Sequence, residues 1–382
     1  MNNQPKTLVV DDAIPYAQAI FSHLGQVVLR PGRQICQQDL QHADALIVRS
    51  RTQVNAELLD NTQVSFVGST VVGLDHIDQP YLKQKGIAFY SAQGCNANSV
   101  AEYIMTNLVN LAYQKQFSLS TKTLAIIGVG HVGQRVAQKA QALGMTCLLN
   151  DPPRQRQTGD NQFVDLETAL TADIITVHTP LTTEREAGEE ATLDLISAAR
   201  LKQITPNQIL INAARGGIIN EAQWCQTPTL ANIIDCWENE PNISRQLYQV
   251  AAIATPHIAG HSLDAKIAGS EMVYQALCHD WQTTPSQVWR AHLPDTPGPI
   301  ETNVTGHLET DLYRLLKHCY RPDEDDAALR KVTSETFEDQ YESYRRQYPI
   351  RREWHQHPII STPSAQFNHQ LERLGFTHFI TP

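Results

Sequence analysis

The sequence of 382 residues lacks several features that define common classes of protein. None of its seven cysteines forms a CxxC pair, which argues against a metal centre or a disulfide framework and favours thiols in a reducing compartment. No apolar run approaches the roughly 18 residues of a membrane span. Charged residues make up only 18%, and the net charge is -10. This balance disfavours a nucleic-acid partner, because binding to a phosphate backbone requires a basic face.

The amino-terminal segment MNNQPKTLVVDD also lacks the charged-then-apolar layout of a secretory signal. It leads directly into an apolar run that is typical of a β-strand. We therefore expect a cytoplasmic protein that has no membrane partner. At roughly 150 residues per domain, the length predicts two to three domains.

Short apolar runs alternate with helical patterns along most of the chain, and a long helix is predicted over 98–114. Strand–helix alternation favours parallel sheets covered by helices on both faces. We therefore predict an α/β fold with two doubly wound parallel-sheet domains. The predicted strands are Thr7–Asp11, Ala45–Ser50, Ser65–Ser69 and Gly86–Ser91 in the first block, and Thr123–Gly128, Thr146–Asn150, Asp173–His178, Gln208–Ala213, Asn232–Asp235 and Ala251–Thr255 in the second.

Prolines at 285, 294, 297 and 299 mark a change in the chain, and a more charged segment follows them. We predict a substrate domain over 1–97 that is completed by 263–286. A nucleotide-binding Rossmann domain is predicted over 98–262. The remaining 287–382 is predicted to form a small α+β domain, with its arginines (345, 346, 351 and 352) on a solvated or interface face.

A glycine-rich turn lies between the first strand of the second block and the helix after it. Gly128, Gly130 and Gly133 have the GxGxxG spacing. In this motif the glycines permit a tight turn, a close approach of the backbone to a diphosphate, and close packing of the helix. The N–H groups at the start of the helix, at His131 and Val132, are candidate diphosphate contacts.

Asp151 lies 18 residues after Gly133 and directly follows a predicted strand. An acid at this distance accepts hydrogen bonds from the ribose hydroxyls and repels a 2′-phosphate, which favours NAD over NADP. Arg154 and Arg156 lie nearby and could instead serve a 2′-phosphate. The alternative interpretation is a packing turn followed by an incidental aspartate.

Several motifs of the chain resemble those of the D-2-hydroxyacid dehydrogenase family: NAARGGIINE, DCWENEP, TPHIAG and GLDHID. The similarity covers about 8–272. DDAALRKV and RREW, together with GCNANSVAEY and NDPPR, resemble one branch of this family. The resemblance implies NAD-dependent oxidation of the C2 hydroxyl of 4-phospho-D-erythronate in pyridoxine synthesis. It also implies a flavodoxin-like substrate domain and a homodimer formed through the C-terminal domain.

The resemblance implies three catalytic residues. Arg215 matches the arginine that binds the substrate carboxylate and polarises the C2 oxygen. His257 matches the histidine that takes the hydroxyl proton, and Glu240 matches the acid that pairs with it. Glu238 is the rival position for that acid. These residue types suit the chemistry, because histidine is a base near neutral pH and a guanidinium binds carboxylates bidentately.

Three further residues match cofactor contacts of the family. Asp235 matches a residue near the nicotinamide carboxamide, while Thr179 and Gly260 match other contacts of the cofactor. Each lies at or just after the carboxyl end of a predicted strand, or in the loop that follows. In an open α/β sheet these ends face the ligand crevice, so we expect the three residues to lie near the glycine-rich turn.

Candidate substrate contacts lie mainly in the first block. Arg49, Ser50 and Arg51 directly follow a predicted strand and could bind a phosphate or a carboxylate. The alternative for both arginines is a solvated loop. Ser50 matches a substrate-contacting serine of the branch.

Two positions depart from the branch. Val71 stands where the branch has a substrate-contacting threonine, with Thr70 adjacent, and His261 stands where the branch usually has tyrosine. Both changes put substrate affinity in doubt while leaving the reaction type intact. His261 could instead contact the phosphate as a cation.

Two other functions compete with this interpretation. The first is a dehydrogenase for another D-2-hydroxy acid, such as 3-phosphoglycerate. The second is an NAD(H)-sensing regulator on the same fold. The presence of Arg215, Glu240 and His257 favours turnover over sensing.

Overall fold

The computed structural model describes residues 5–187, 190–332 and 334–381. The chain forms two compact units. The first consists of residues up to 96 together with 262–295, and the second of 97–261 together with 296–382. Among the helices of the described residues, none has both the length and the apolar character that crossing a membrane requires.

Thirteen strands lie in the described part of the chain. They are β1 (Thr7–Asp11), β2 (Gln26–Arg30), β3 (Ala45–Val48), β4 (Phe66–Ser69), β5 (Ala88–Ser91), β6 (Thr123–Ile127), β7 (Thr146–Asn150), β8 (Ile174–Val177), β9 (Ile209–Asn212), β10 (Ala231–Ile234), β11 (Ile253–Ala254), β12 (Ile359–Ile360) and β13 (Phe379–Ile380). All ten strands predicted for the two sheets are present. β2 was not predicted, because it is largely solvent-accessible and lacks a buried apolar run.

The α-helices of the described residues surround these strands. They are α1 (Ala17–Phe21), α2 (Gln37–Leu40), α3 (Ala56–Leu59), α4 (Gln79–Lys85), α5 (Ala97–Lys115), α6 (His131–Ala142), α7 (Pro152–Thr158), α8 (Leu166–Ala169), α9 (Glu184–Ala187), α10 (Ala198–Leu201), α11 (Glu221–Trp224), α12 (Arg245–Val250), α13 (Leu263–Asp280), α14 (Leu308–Cys319), α15 (Pro322–Arg330), α16 (Phe337–Arg346) and α17 (Ala365–Leu374). The long helix predicted over 98–114 is α5.

The first unit contains a five-stranded parallel sheet in the order β2-β1-β3-β4-β5. α13 returns to this sheet from later in the chain and packs on β4 and β5. The approach is close: a Cβ at Gly68 would lie 2.3 Å from Val273 Cγ1, and a Cβ at Gly269 would lie 2.4 Å from the Thr70 carbonyl oxygen. Glycine at these positions therefore allows α13 to fix the end of β4.

The second unit contains a six-stranded parallel sheet in the order β11-β10-β9-β8-β6-β7. The strand order reverses at β6, which has β7 on one side and β8 on the other. In open parallel sheets a ligand binds outside the carboxyl ends of the strands at such a reversal. Both sheets are parallel and doubly wound, so the predicted fold class is confirmed.

The C-terminal segment 296–382 packs against the second sheet and its helices. α14 packs on α5, α17 on α6, and α15 on β11. The described residues of the segment combine four α-helices with the short parallel pair β12–β13. The structure groups 296–382 with the second unit and 287–295 with the first, and a separate domain that begins at 287 stays a prediction.

A buried carboxylate organises the middle of this segment. Asp325 Oδ2 accepts hydrogen bonds from the hydroxyls of Tyr320 and Tyr348, both at 2.8 Å, and its Oδ1 accepts one from Tyr344 at 2.6 Å. Burial raises the pKa of Asp325, and the three hydroxyls act in the opposite direction. One side chain therefore joins the start of α15 to the end of α16.

We expect Asp325→Ala to destabilise the second unit by about 3 kcal/mol or more, because three hydroxyls would lose their acceptor. That loss corresponds to a fall of about 6 to 12 °C in the midpoint of thermal unfolding. Asp323→Ala, which removes only a surface ion pair with Arg321, is the matched control and should cost about 1 kcal/mol or less. Equal midpoints for the two variants would contradict this account.

Candidate active site

The glycine-rich turn joins the end of β6 to the start of α6. Gly128 has a φ of +89°, and a Cβ there would lie 2.8 Å from the backbone nitrogen of Thr179. A Cβ at Gly133 would lie 2.2 Å from the carbonyl oxygen of Gly128. At Gly130 a Cβ would meet no atom within 4 Å, so the backbone there faces open space. The turn therefore needs glycine at its first and third positions and leaves the second open to a ligand.

Asp151 stands at the end of β7 and is tied to this turn. Its Oδ2 accepts a hydrogen bond from the Val129 N–H at 2.8 Å, and its Oδ1 accepts one from the Arg154 N–H at 3.0 Å. Arg154 Nη1 donates to the Val129 carbonyl at 2.8 Å, and Arg156 forms an ion pair with Glu190. Both arginines that could serve a 2′-phosphate are thus already engaged with protein oxygens.

His178 and Thr179 follow β8 beside the turn. Burial lowers the pKa of His178 to about 3, and its Nε2 lies 3.0 Å from Thr176 Oγ1. The ring is therefore neutral at physiological pH and has a structural role. Thr179 Oγ1 is buried and has no hydrogen-bond partner among the described residues. Such an atom is unfavourable unless a ligand satisfies it.

His257 and Glu240 form a hydrogen-bonded pair at the carboxyl ends of the strands. His257 Nδ1 lies 2.9 Å from Glu240 Oε2 and 3.1 Å from Oε1. Burial acts to raise the pKa of Glu240, but His257, Arg345 and the Trp237 N–H outweigh it and lower the pKa to about 2. Since the carboxylate is ionised, Nδ1 must be the donor. Nε2 is then the ring atom that can accept a proton.

Glu238, the rival position, has a different environment. Its N–H donates to Glu221 Oε1 at 2.7 Å, and burial raises the pKa of its carboxyl. Burial also raises the pKa of Glu221 to about 7. The structure therefore brings Glu240 to His257, as the sequence predicts.

The loop that carries His257 is held in place by Asp235. His257 has a φ of +54°, a strained conformation for a residue other than glycine. Asp235 is 1% exposed; its Oδ1 accepts the Ile258 N–H at 2.8 Å and its Oδ2 accepts the Ala259 N–H at 2.9 Å. Thr255 Oγ1 donates to the same carboxylate at 2.7 Å. Sequence reasoning missed this role of Asp235, since nothing in the sequence reveals loop hydrogen bonds.

Arg215 follows β9 in a turn that packs on the loop of Glu240. A Cβ at Gly216 would lie 2.1 Å from the carbonyl carbon of Trp237, so the two loops touch through backbone. Arg215 is half-buried, and its Nη1 donates to the Ala214 carbonyl at 2.8 Å. The geometry thus brings the loops of the guanidinium, the carboxylate and the imidazole together within the second unit.

Two residues of the C-terminal segment also reach this group. Arg345 Nη1 on α16 lies 3.8 Å from Glu240 Oε2. The ring of Tyr348 packs edge-on against His261, with centroids 5.9 Å apart, and His261 directly follows Gly260. The expectation of a solvated or interface face is wrong for Arg345 and for Arg351, which is 6% exposed. No local pattern in the sequence signals either contact.

The candidate substrate residues of the first unit lie at the ends of β3 and β4. Arg49 is half-buried and its Nη1 donates to the Ala13 carbonyl at 3.0 Å, whereas Ser50 and Arg51 are exposed. Val71 is half-buried. The hydroxyl of Thr70 donates to the Val48 carbonyl at 3.4 Å within the sheet, so Thr70 does not replace the threonine that Val71 lacks.

Comparison with known proteins finds two matching family models and named relatives. Residues 98–259 match the family model "D-isomer specific 2-hydroxyacid dehydrogenase, NAD binding domain", and 298–375 match a domain of unknown function, DUF3410. An erythronate-4-phosphate dehydrogenase of Hydrogenovibrio crunogenus is 63% identical over 97% of this chain and 98% of its own length. One of Ruthia magnifica is 48% identical, over 91% and 96%.

Solved structures share the fold at low identity. The TT0316 protein of Thermus thermophilus aligns with a TM-score of 0.61 and 23% identity, over 73% of this chain and 98% of its own. A D-lactate dehydrogenase of Aquifex aeolicus aligns with a TM-score of 0.55 and 20% identity, over 72% and 95%. Together with the site, these matches show that the chain belongs to the erythronate-4-phosphate dehydrogenase family and carries the NAD-binding domain of the D-isomer-specific 2-hydroxyacid dehydrogenases.

Proposed function

We propose that this chain is an NAD-dependent dehydrogenase that oxidises 4-phospho-D-erythronate to (R)-3-hydroxy-2-oxo-4-phosphooxybutanoate. The reaction belongs to pyridoxine synthesis in the cytoplasm. The observation that carries the proposal is the 2.9 Å pair of Glu240 and His257 in a chain whose relatives are named for this activity. The paired imidazole is the base that loss of a hydride from C2 requires.

His257 and Glu240 move the proton. Neutral His257 takes the C2 hydroxyl proton at Nε2, while Nδ1–H remains on the Glu240 carboxylate. The positive charge that develops on the ring then lies 2.9 Å from an ionised acid, which stabilises it. Arg215 binds the substrate carboxylate with its planar guanidinium and polarises the C2 oxygen.

The residues of the second unit suit NAD. Gly130 leaves open space before α6, and the buried Thr179 hydroxyl has no protein partner among the described residues. The N–H groups of His131 and Val132 would hold the diphosphate, and Asp151 would accept the ribose hydroxyls. Asp235 and Gly260 would contact the nicotinamide end. When bound, NAD supplies the hydride acceptor.

Candidate residues for the substrate phosphate are proposed in each unit by itself. In the first unit, Arg49, Ser50 and Arg51 offer two cations and a hydroxyl. In the second unit, His261 offers a donor. Val71 offers no polar side-chain contact. The second candidate is oxidation of another D-2-hydroxy acid such as 3-phosphoglycerate, because cations of this kind can bind any phosphorylated acid.

We expect 4-phospho-D-erythronate to drive NADH formation faster than 3-phospho-D-glycerate or D-lactate. His257→Ala should lower kcat by about 1,000-fold, because the base is lost. His369→Ala, at a histidine whose side chain is 71% exposed, is the matched control and should behave as wild type. Absorbance of NADH at saturating substrate provides the measurement.

The outcomes of this assay separate the candidates. Turnover of another acid alone would keep the mechanism and discard the named substrate. Binding of NADH without turnover of any acid would favour a regulator that senses the cofactor.

We expect His261→Ala to raise KM for 4-phospho-D-erythronate by about 10- to 150-fold, because a hydrogen bond to a charged group is worth about 1.5 to 3 kcal/mol. The KM for NAD should change little. Steady-state kinetics with each substrate varied in turn gives both constants. An unchanged KM for the phosphorylated acid would remove His261 from the substrate site.

The chain is further proposed to form a homodimer through its C-terminal domain. Light scattering after gel filtration should give about twice the chain mass of 42.7 kDa. A mass near one chain at micromolar concentration would contradict the dimer without bearing on the reaction.

A further inference from the structure

We infer that Arg345 is a positioning residue of the catalytic pair and holds the Glu240 carboxylate in place beside His257. The inference rests on the proposed function, because it assigns to His257 the role of base. It also gives the C-terminal segment a part in the chemistry that is separate from assembly.

Glu240 lies between the imidazole of His257 and the guanidinium of Arg345. Its Oε2 lies 2.9 Å from His257 Nδ1 and 3.8 Å from Arg345 Nη1, while its Oε1 accepts the Trp237 N–H at 2.9 Å. The side chains of Arg345 and Glu240 are 20% and 17% exposed. Solvent screening is weak at this depth, so the guanidinium acts on the carboxylate as a charge.

Arg345 is held by a rigid frame on both sides. One turn earlier on α16, Tyr341 is fully buried against the second sheet, and Phe337 packs edge-on against Tyr248 with centroids 5.4 Å apart. Tyr344 and Tyr348 flank Arg345 and both donate hydrogen bonds to Asp325. The guanidinium therefore has a defined position before any substrate binds.

Stability alone does not account for an arginine at this position. Arg345 Nε is buried and has no hydrogen-bond partner among the described residues. An unsatisfied buried donor is unfavourable for folding. An arginine at position 345 is explained if its positive charge is required beside Glu240.

Several other charged or titratable groups face the pair from the elements packed around it. They are Asp235 and Cys236 after β10, Glu221 on α11, Arg215 after β9 and Tyr341 on α16. Burial raises the pKa of the Cys236 thiol, which is therefore neutral, and that of Tyr341. Arg345 is thus a cation that offsets the charge of the acids in this group.

Removal of Arg345 has a defined electrostatic sign. The Glu240 charge would be less compensated, so the protonated form of His257 would be favoured. Neutral His257, the form that accepts the proton, would then predominate only at higher pH. The acidic limb of the pH profile of kcat/KM for oxidation would therefore shift to higher pH. We expect a shift of about 0.5 to 1 pH unit.

The test compares Arg345→Gln, Arg345→Lys and Arg346→Gln, with Arg346 as an exposed neighbour on the same helix. Arg345→Gln should lower kcat about 5- to 30-fold and shift the acidic limb, with less than a twofold change in KM for NAD. Arg345→Lys should return the acidic limb of the pH profile to its wild-type position and should restore most of kcat. Arg346→Gln should match wild type. Kinetics from pH 5.5 to 9.5 with 4-phospho-D-erythronate, and thermal unfolding of each variant, supply the readouts.

A double-mutant cycle tests whether Arg345 acts through Glu240. In the Glu240→Gln background, Arg345→Gln should cause less than a twofold further loss of kcat. Two results would overturn the inference and indicate direct contact of Arg345 with the substrate. One is a loss of kcat in the Glu240→Gln background as large as in wild type. The other is a rise in KM for the acid while the acidic limb of the pH profile stays unchanged. Arg345→Met replaces the Gln variant if that variant does not fold. Failure of both to fold, with Arg345→Lys stable, would establish a structural role instead.

The same variants distinguish failure of this inference from failure of the proposed function. If wild type oxidises only another D-2-hydroxy acid, the comparison is made with that acid. If wild type oxidises none, the proposed function fails, and NMR titration of the His257 ring replaces the assay. An upward move of that titration in Arg345→Gln would support the positioning role, and an unchanged titration would overturn it.

Discussion

The hydrogen bond between Glu240 and His257 is the interaction on which the rest of the site depends. Because the carboxylate keeps its charge down to a pH of about 2, it fixes Nδ1–H of the ring and directs Nε2 away from the pair. The two side chains come from loops after different strands. Their distance of 2.9 Å is therefore set by how well each loop is held, and not by either side chain alone.

Each of these loops is held by contacts to its backbone. Gly216 lets the turn of Arg215 touch Trp237, and the Trp237 N–H donates to Glu240. Asp235 accepts the two N–H groups that follow His257 and so stabilises its strained backbone. A preorganised site of this kind needs no rearrangement when charge develops on the imidazole.

The sequence was sufficient for ten strands of the two sheets, and its family resemblance was sufficient to predict that Glu240 pairs with His257. Buried parallel strands read as apolar runs, and the motif around His257 carries its own signature. β2 escaped notice because an edge strand needs no such run. The contact of Arg345 with Glu240 joins residues more than a hundred positions apart, and no periodicity reports such a pairing. No periodicity reports the hydrogen bonds of Asp235 either.

The C-terminal segment extends the support of the loop of His257 to its other side. Arg351 Nη2 donates to the Ala259 carbonyl at 2.5 Å, and Ser99 Oγ on α5 donates to the same oxygen at 2.9 Å. The N–H of Ala259 is already bound by Asp235, so both backbone polar atoms of this residue are held by side chains. A cation buried at this depth is costly unless it has such partners. Arg351 and Arg345 therefore both support the pair of His257 and Glu240. Arg351 binds the backbone of the loop of His257, and Arg345 acts on the carboxylate of Glu240.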